Sequence, residues 1–258
     1  GKNALGTYFF TPFQNILNNN GTSYDPVPYS AFDIVATEDN TTVNIVPTND
    51  VVGHAAGVEY TVNLNKGQTY SARASSQAAG LHLHGSVVQS DKAIAITIKD
   101  DLLDGSIYGG CADLAGDQII PVNRTGSEYV VIKGFLNGPD RVFVLATEDN
   151  TQVTIAGNLS GTIQAGQTMV YDLIEPSVYI ESTANIYVLQ LSGFGCEVGC
   201  GLIPPVNCTG SLQIGFTRSV AEDFKLMLMV QSGGEGDFSL NGSTGFITAA
   251  DFIEVPFS

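Results

Sequence analysis

Tryptophan is absent from these 258 residues, and lysine and arginine together number ten against 26 aspartates and glutamates. The resulting formal charge of −16 repels phosphate backbones and anionic lipid, so nucleic acid is not an expected partner. No run approaches the eighteen or more apolar residues of a membrane-spanning helix, and membrane insertion is not expected. Without tryptophan, an aromatic platform for sugars would rest on Tyr8, Tyr29, Tyr60, Tyr108 and Tyr129, several of which sit in strand patterns where core packing is the usual duty. The three histidines are His54, His82 and His84. In Leu-His-Leu-His the last two fall on one side of a strand, but two imidazoles are too few for a transition-metal site. The motif spacings G-x-S-x-G, H-E-x-x-H and the P-loop are also missing, and no enzymatic activity is expected. The chain opens on Gly1-Lys2-Asn3-Ala4 rather than on a signal peptide, so this start is expected to be a processed or engineered one.

Glycine, threonine, tyrosine and phenylalanine are plentiful, and Val/Ile/Thr alternation recurs throughout, which is the composition of pleated, half-buried strands and tight turns. The strongest signal is internal repetition. The hexapeptide Ala-Thr-Glu-Asp-Asn-Thr occurs at residues 36–41 and 146–151. Gly67-Gln68-Thr69 returns as Gly166-Gln167-Thr168, and the Pro-Val-Asn-x-Thr-Gly-Ser run at 121–127 returns at 205–211. Residues 126–209 read as seven strands, over 128–133, 141–146, 152–156, 162–164, 169–173, 177–181 and 186–191. Residues 1–125 follow the same order with longer connections at 47–57 and 99–118. A partial third copy over 210–258 is expected to place strands at 225–230, 237–240, 245–249 and 252–255. The fold expected is all-β, as tandem β-sandwich repeats, with a closed propeller-like ring as the alternative.

Glu-Asp-Asn before an alternating strand supplies Asx-type turn hydrogen bonds, which explains the repeat without any ligand. The unrepeated acidic cluster is different: Asp100, Asp101 and Asp104 leave the strand over 93–99, and Asp113 and Asp117 share the connection that follows. A hard cation takes six to eight oxygens from such a loop, which makes these five the candidate calcium ligands, although the spacing is not that of an EF-hand. The four cysteines, Cys111, Cys196, Cys200 and Cys208, form an even set without zinc spacing and point to disulfides in an oxidising compartment. Three pairings stay open, and the short Gly/Pro-rich stretch sterically allows Cys196 to join Cys200 or Cys208.

Gly6-Thr7-Tyr8-Phe9-Phe10, then FDIVATEDNTTVNI, KGQTY and VVQSDKAIAI, then Cys111-Ala112-Asp113, Gln118-Ile119-Ile120-Pro121 and Gly126-Ser127-Glu128-Tyr129-Val130-Val131, together resemble the IgGFc-binding protein N-terminal domain family over essentially the whole chain. That family occurs in a secreted mucus glycoprotein and in many secreted or surface proteins of bacteria, the Bacteroidetes above all. The resemblance implies a secreted or cell-surface, non-catalytic binding or adhesion module with an extracellular protein or glycan as its partner. Cys111-Ala112-Asp113 stands where a Cys-Asp-His element is associated with the family. The residue reading adds a second expectation, a structural subunit that self-associates through edge strands, using the opening strand over 7–13. A carboxylate-pair hydrolase is the remaining alternative.

Overall fold

The computed structural model describes residues 2–19, 21, 24–217, 221 and 225–255. The first unit consists of β1 (Gly6–Phe10), β2 (Ser30–Ala36), β3 (Thr41–Val46), β4 (Tyr60–Leu64), β5 (Thr69–Arg73), β6 (Val87–Gly105) and β7 (Cys111–Ile119). The second repeats it as β8 (Gly126–Ile132), β10 (Asp140–Ala146), β11 (Thr151–Ile155), β12 (Asn158–Ile163), β13 (Thr168–Leu173), β14 (Ser177–Gly195) and β15 (Glu197–Leu202), with the short β9 (Phe135–Leu136) added. The expected tandem β-sandwich is the fold observed.

One long strand organises each unit. The first part of β6, residues 87–90, pairs with β1 and β3, whereas residues 94–105 pair with β2 and β7. The strand thus passes from one layer of the sandwich to the other across a bulge, and β14 does the same between β8 and β11 on one side and β10 and β15 on the other. The corner is built alike in both copies. Ser90 Oγ donates to the Lys92 carbonyl and Ser182 Oγ to the Ala184 carbonyl, both at 2.7 Å. Thr37 and Thr147 donate to the carbonyls of Ala93 and Asn185 at 2.5 and 2.6 Å.

The repeated hexapeptide is a turn clamp. Asn40 and Asn150 take the left-handed conformation at φ 52° and 57°, which asparagine tolerates better than most residues. Asp39 and Asp149 accept the main-chain N–H groups of Lys66 and Ala165, each at 3.1 Å, and so hold the Gly-Gln-Thr turn.

The two units share a core. Phe143, Leu189, Leu191 and Val198 of the second unit join Phe32, Ile34, Ile96 and Ile98 of the first in one buried cluster, while Val142, Val144 and Val188 face a separate core within the second unit. The Gly166 carbonyl of the repeated turn sits against Gly85. A Cβ at Gly85 would collide with it, and its φ of +78° also favours glycine.

Several expectations are corrected. Residues 99–118 form a hairpin rather than a long loop, because β6 continues to Gly105 and returns as β7; main-chain pairing overrides the polar aspartates. The segments over 177–181 and 186–191 are one strand. The Gly/Pro-rich cysteine stretch contains β15. His82 and His84 follow a 3-10 turn (Ala79–Leu81) and are not on a strand. In the third segment, residues 225–230, 245–249 and 252–255 form no strand, and the only pairing among described residues is the hairpin β16 (Ser239–Leu240) with β17 (Ser243–Thr244). Described residues beyond 210 supply no counterpart of β6 or β14, so incipient strands there have no central strand to pair with.

Candidate functional site

The predicted metal ligands take separate duties. Asp100 is buried at 3 % exposure, whereas Asp101 and Asp104 are half-buried and Asp104 caps the Ser106 N–H at 3.0 Å. Asp113 and Asp117 reach the second unit, where they accept the main-chain N–H groups of Val198 and Leu202 at 2.7 Å. The five carboxylates do not converge. Among the described residues, the one set of three potential ligands with mutually close atoms is Cys111, Cys196 and Glu197.

Cys111 and Cys196 form a disulfide with Cα atoms 5.3 Å apart, tying the start of β7 to the β14–β15 turn, while Cys200 and Cys208 are free. The shorter pairings with Cys200 or Cys208 are therefore overturned: the repeat brings residues 85 positions apart together across the seam between units. The tyrosines do not gather into a platform. Tyr108 and Tyr129 are buried, Tyr29 lies under Arg73, Tyr60 stacks on His54 with ring centres 3.6 Å apart, and Tyr8 is partly exposed.

In the first unit, residues 11–19 leave β1 and plug the open end of the sandwich. Phe13 and Leu17, with Leu83 from the connection before β6, join the cluster formed by Ile98, Ala115 and Ile119. Gln14 anchors the plug: its Oε1 accepts the N–H groups of Ile16 and Leu17, and its Nε2 lies 2.9 Å from the Leu17 carbonyl, 2.9 Å from His82 Nδ1 and 3.2 Å from Asp100 Oδ2. An amide nitrogen has only two hydrogens for these three acceptors. Asp100 Oδ1, 3.2 Å from the same Nδ1, resolves the shortage when it carries a proton and donates it to neutral His82. Burial drives both groups that way, lifting the Asp100 carboxyl to about 8 and pulling the His82 imidazole down to about 4, the latter opposed by the carbonyls of Gln77 and Gln14. His82 is fully buried, so this pair is a structural element of the plug.

Among the described residues the second unit has only a short counterpart of the plug: residues 133–139 before β10, with β9 paired to β14, bring Gly134 against Ser192 Oγ and Leu136 against Gly193, and residues 174–176 before β14 are shorter still. At the position corresponding to the plug lies a cleft of about 300 Å³ lined by Gln190, Ser192, Gly199, Cys200, Gly201 and Ile203. Gln190 is held by donating from Nε2 to Asp140 Oδ2 at 2.7 Å and to the Ile132 carbonyl at 2.8 Å. Burial pushes the Cys200 thiol up to about 12, so it is not a nucleophile at neutral pH. Phe194, two residues beyond Ser192 on the same strand face, packs against Phe135 with ring centres 6.2 Å apart. No sequence motif marked this cleft. The signal available was the shortening of two connections relative to the first repeat, together with the glycines at alternate positions 199 and 201.

Fold and cleft together define a tandem β-sandwich protein whose two units are locked by a disulfide and by side-chain-to-backbone bonds, one end plugged and the other, among the described residues, only partly covered. The sequence profile of the family described as IgGFc binding protein matches residues 2–256, and the chain belongs to that family. No curated protein and no solved structure matches it. Among the described residues no helix is long and apolar enough to cross a membrane.

Proposed function

We propose that this protein is a non-catalytic binding module that works in an oxidising, extracellular setting and engages a protein ligand. The observation that carries this reading is membership of a binding-protein family along nearly the whole chain, joined to a rigid frame that leaves one sandwich end open. The disulfide supports an oxidising compartment. A non-catalytic role is supported by the histidine–carboxylate pair found among the described residues being sealed from solvent. Titrating the immobilised, oxidised protein with immunoglobulin Fc, with Fab as control, and with a panel of extracellular glycoproteins tests the reading. Saturable binding of Fc or of a panel protein supports it, and a flat response to all of them at tens of micromolar sinks it.

A second reading, a self-assembling extracellular subunit, is favoured by the exposed apolar side chains Leu212 and Ile214, which alternate in a segment to which no strand is assigned among the described residues. Light scattering over a wide concentration range separates the two, since assembly predicts growth in molar mass. The opening strand is not free for exchange, because β1 is paired along β6.

A further inference from the structure

The cleft of the second unit has an internal twin, and the twin is occupied. The two long strands superpose in register: Ser90 and Ser182 make the same corner bond, Ala36 pairs with Ile94 as Ala146 pairs with Ile186, and Thr97 faces Gln118 as Leu189 faces Leu202. Carried along that register, Gln190, Ser192, Gly199 and Ile203 correspond to Ile98, Asp100, Ala115 and Ile119. In the first unit those four are covered by residues 11–19, with Phe13 and Leu17 against Ile98, Ala115 and Ile119, and Gln14 bonded to Asp100. In the second unit Gly134 covers Ser192 and the Ile132 carbonyl and Asp140 hold Gln190, and the rest of that surface is left, among the described residues, as the 300 Å³ cleft.

We propose that the second-unit cleft is a peptide-binding site, and that its ligand is an extended segment carrying an aromatic or branched apolar side chain next to a carboxamide, the chemistry of the first unit's own plug. This rests on the binding-module reading and gives it a site. Ser192, whose Oγ lies against Gly134, stands where the plugged unit has Asp100, and Ile203 supplies an apolar wall where the plugged unit has Ile119. The volume suits one large side chain with its neighbours and lies at the small end of ligand pockets, which span roughly 300–1,000 Å³. Gly199 and Gly201 widen the floor. A Cβ would meet only the Ser192 carbonyl at 3.9 Å in the first case and Asp117 Oδ2 at 4.0 Å in the second, so the space above them is open and not structurally required. Cys200 both lines the cleft and packs against the cluster shared by the two units, so the cleft is continuous with an interface the chain already uses for apolar packing.

The probe is a fluorescent peptide of sequence TPFQNILNN, residues 11–19 of this chain, titrated into the full protein by anisotropy beside a scrambled peptide and one with the phenylalanine replaced by alanine. Saturable binding, weakened at least tenfold by that replacement and abolished by Gly201→Val or Gly199→Val in the protein, supports the site. Those variants add volume to the cleft without a backbone clash, and an unchanged melting temperature confirms that they fold. Absence of saturable binding to the wild-type protein overturns the proposal. So does binding that survives both glycine variants, since the peptide would then be exchanging with the first unit's plug. A partner found in the Fc and glycoprotein titrations that binds Gly201→Val as well as wild type keeps the binding function and rejects this cleft; a flat response there with peptide binding intact does the reverse.

Discussion

Asp117 on β7 accepts the main-chain N–H of Leu202 on β15 at 2.7 Å, and the arrangement is repeated four residues earlier by Asp113 and Val198. Two carboxylates thus stitch the edge of one unit to the backbone of the next, a role that neither side chain could play inside an isolated unit. Removing the acceptor leaves an amide at the seam unpaired, at a cost of about 1–3 kcal/mol. Asp117→Ala is expected to lower the urea midpoint, and Asp117→Asn, which keeps a carbonyl acceptor, to recover most of the loss. Equal stability of Asp117→Ala and wild type would show that water replaces the bond.

The Asp100–His82 pair sets a pH dependence whose sign follows from opposite shifts. The folded Asp100 carboxyl holds its proton to about 8 and the folded His82 stays neutral down to about 4, whereas in the unfolded chain they titrate near ~3.9 and ~6.5. Between pH 4 and 6.5 each state holds one proton of the pair, on aspartate when folded and on histidine when unfolded, so this pair contributes no slope. Above ~6.5 the unfolded chain holds none and the folded chain still holds one, so stability falls, by up to about 1.4 kcal/mol per pH unit, until the folded carboxyl ionises. Urea melts at pH 5, 6.5 and 8 are expected to show the plateau and then the decline, with the decline removed in Asp100→Asn.

Cys111–Cys196 closes a long span of chain, with a sequence separation of 85. Chain entropy assigns such a cross-link about 4.5 kcal/mol. Thermal melts with and without reductant, and of a Cys111→Ser/Cys196→Ser variant, should agree with each other and lie well below the oxidised protein. A variant that melts with the oxidised wild type would place the constraint elsewhere.

Asn150 holds a left-handed backbone in the repeated turn, as Asn40 does in the first unit. Asn150→Ala is expected to destabilise by about 1 kcal/mol and Asn150→Gly by less, since glycine removes the Cβ conflict. Equal losses for the two would assign the cost to the hydrogen bond that the Gln164 amide donates to Asn150 Oδ1 rather than to φ.

Local chemistry was legible wherever the determining contacts are close in sequence. The hexapeptide turn, the alternating strands on either side of it and the order of the two copies follow from side-chain preferences within a few residues of one another, and the family resemblance rests on those same segments. The fate of polar residues was not legible. Asp100 reads as a cation ligand in a loop, yet it is a buried strand residue because Gln14 and His82, 86 and 18 positions away, meet it. The Leu-His-Leu-His pattern reads as a strand, yet His82 is a buried residue after a 3-10 turn for the same reason.

An all-β chain built twice on one plan, with its repeated acidic turn as a structural clamp, follows from the residues alone, because periodicity and turn chemistry are local properties. Long-range packing was needed to bring Cys111 to Cys196, to set Asp113 and Asp117 at the seam, and to plug one sandwich end more fully than the other. Those outcomes depend on which surfaces the long strands β6 and β14 bring face to face, and pairing over tens of residues leaves no mark on any single stretch of chain.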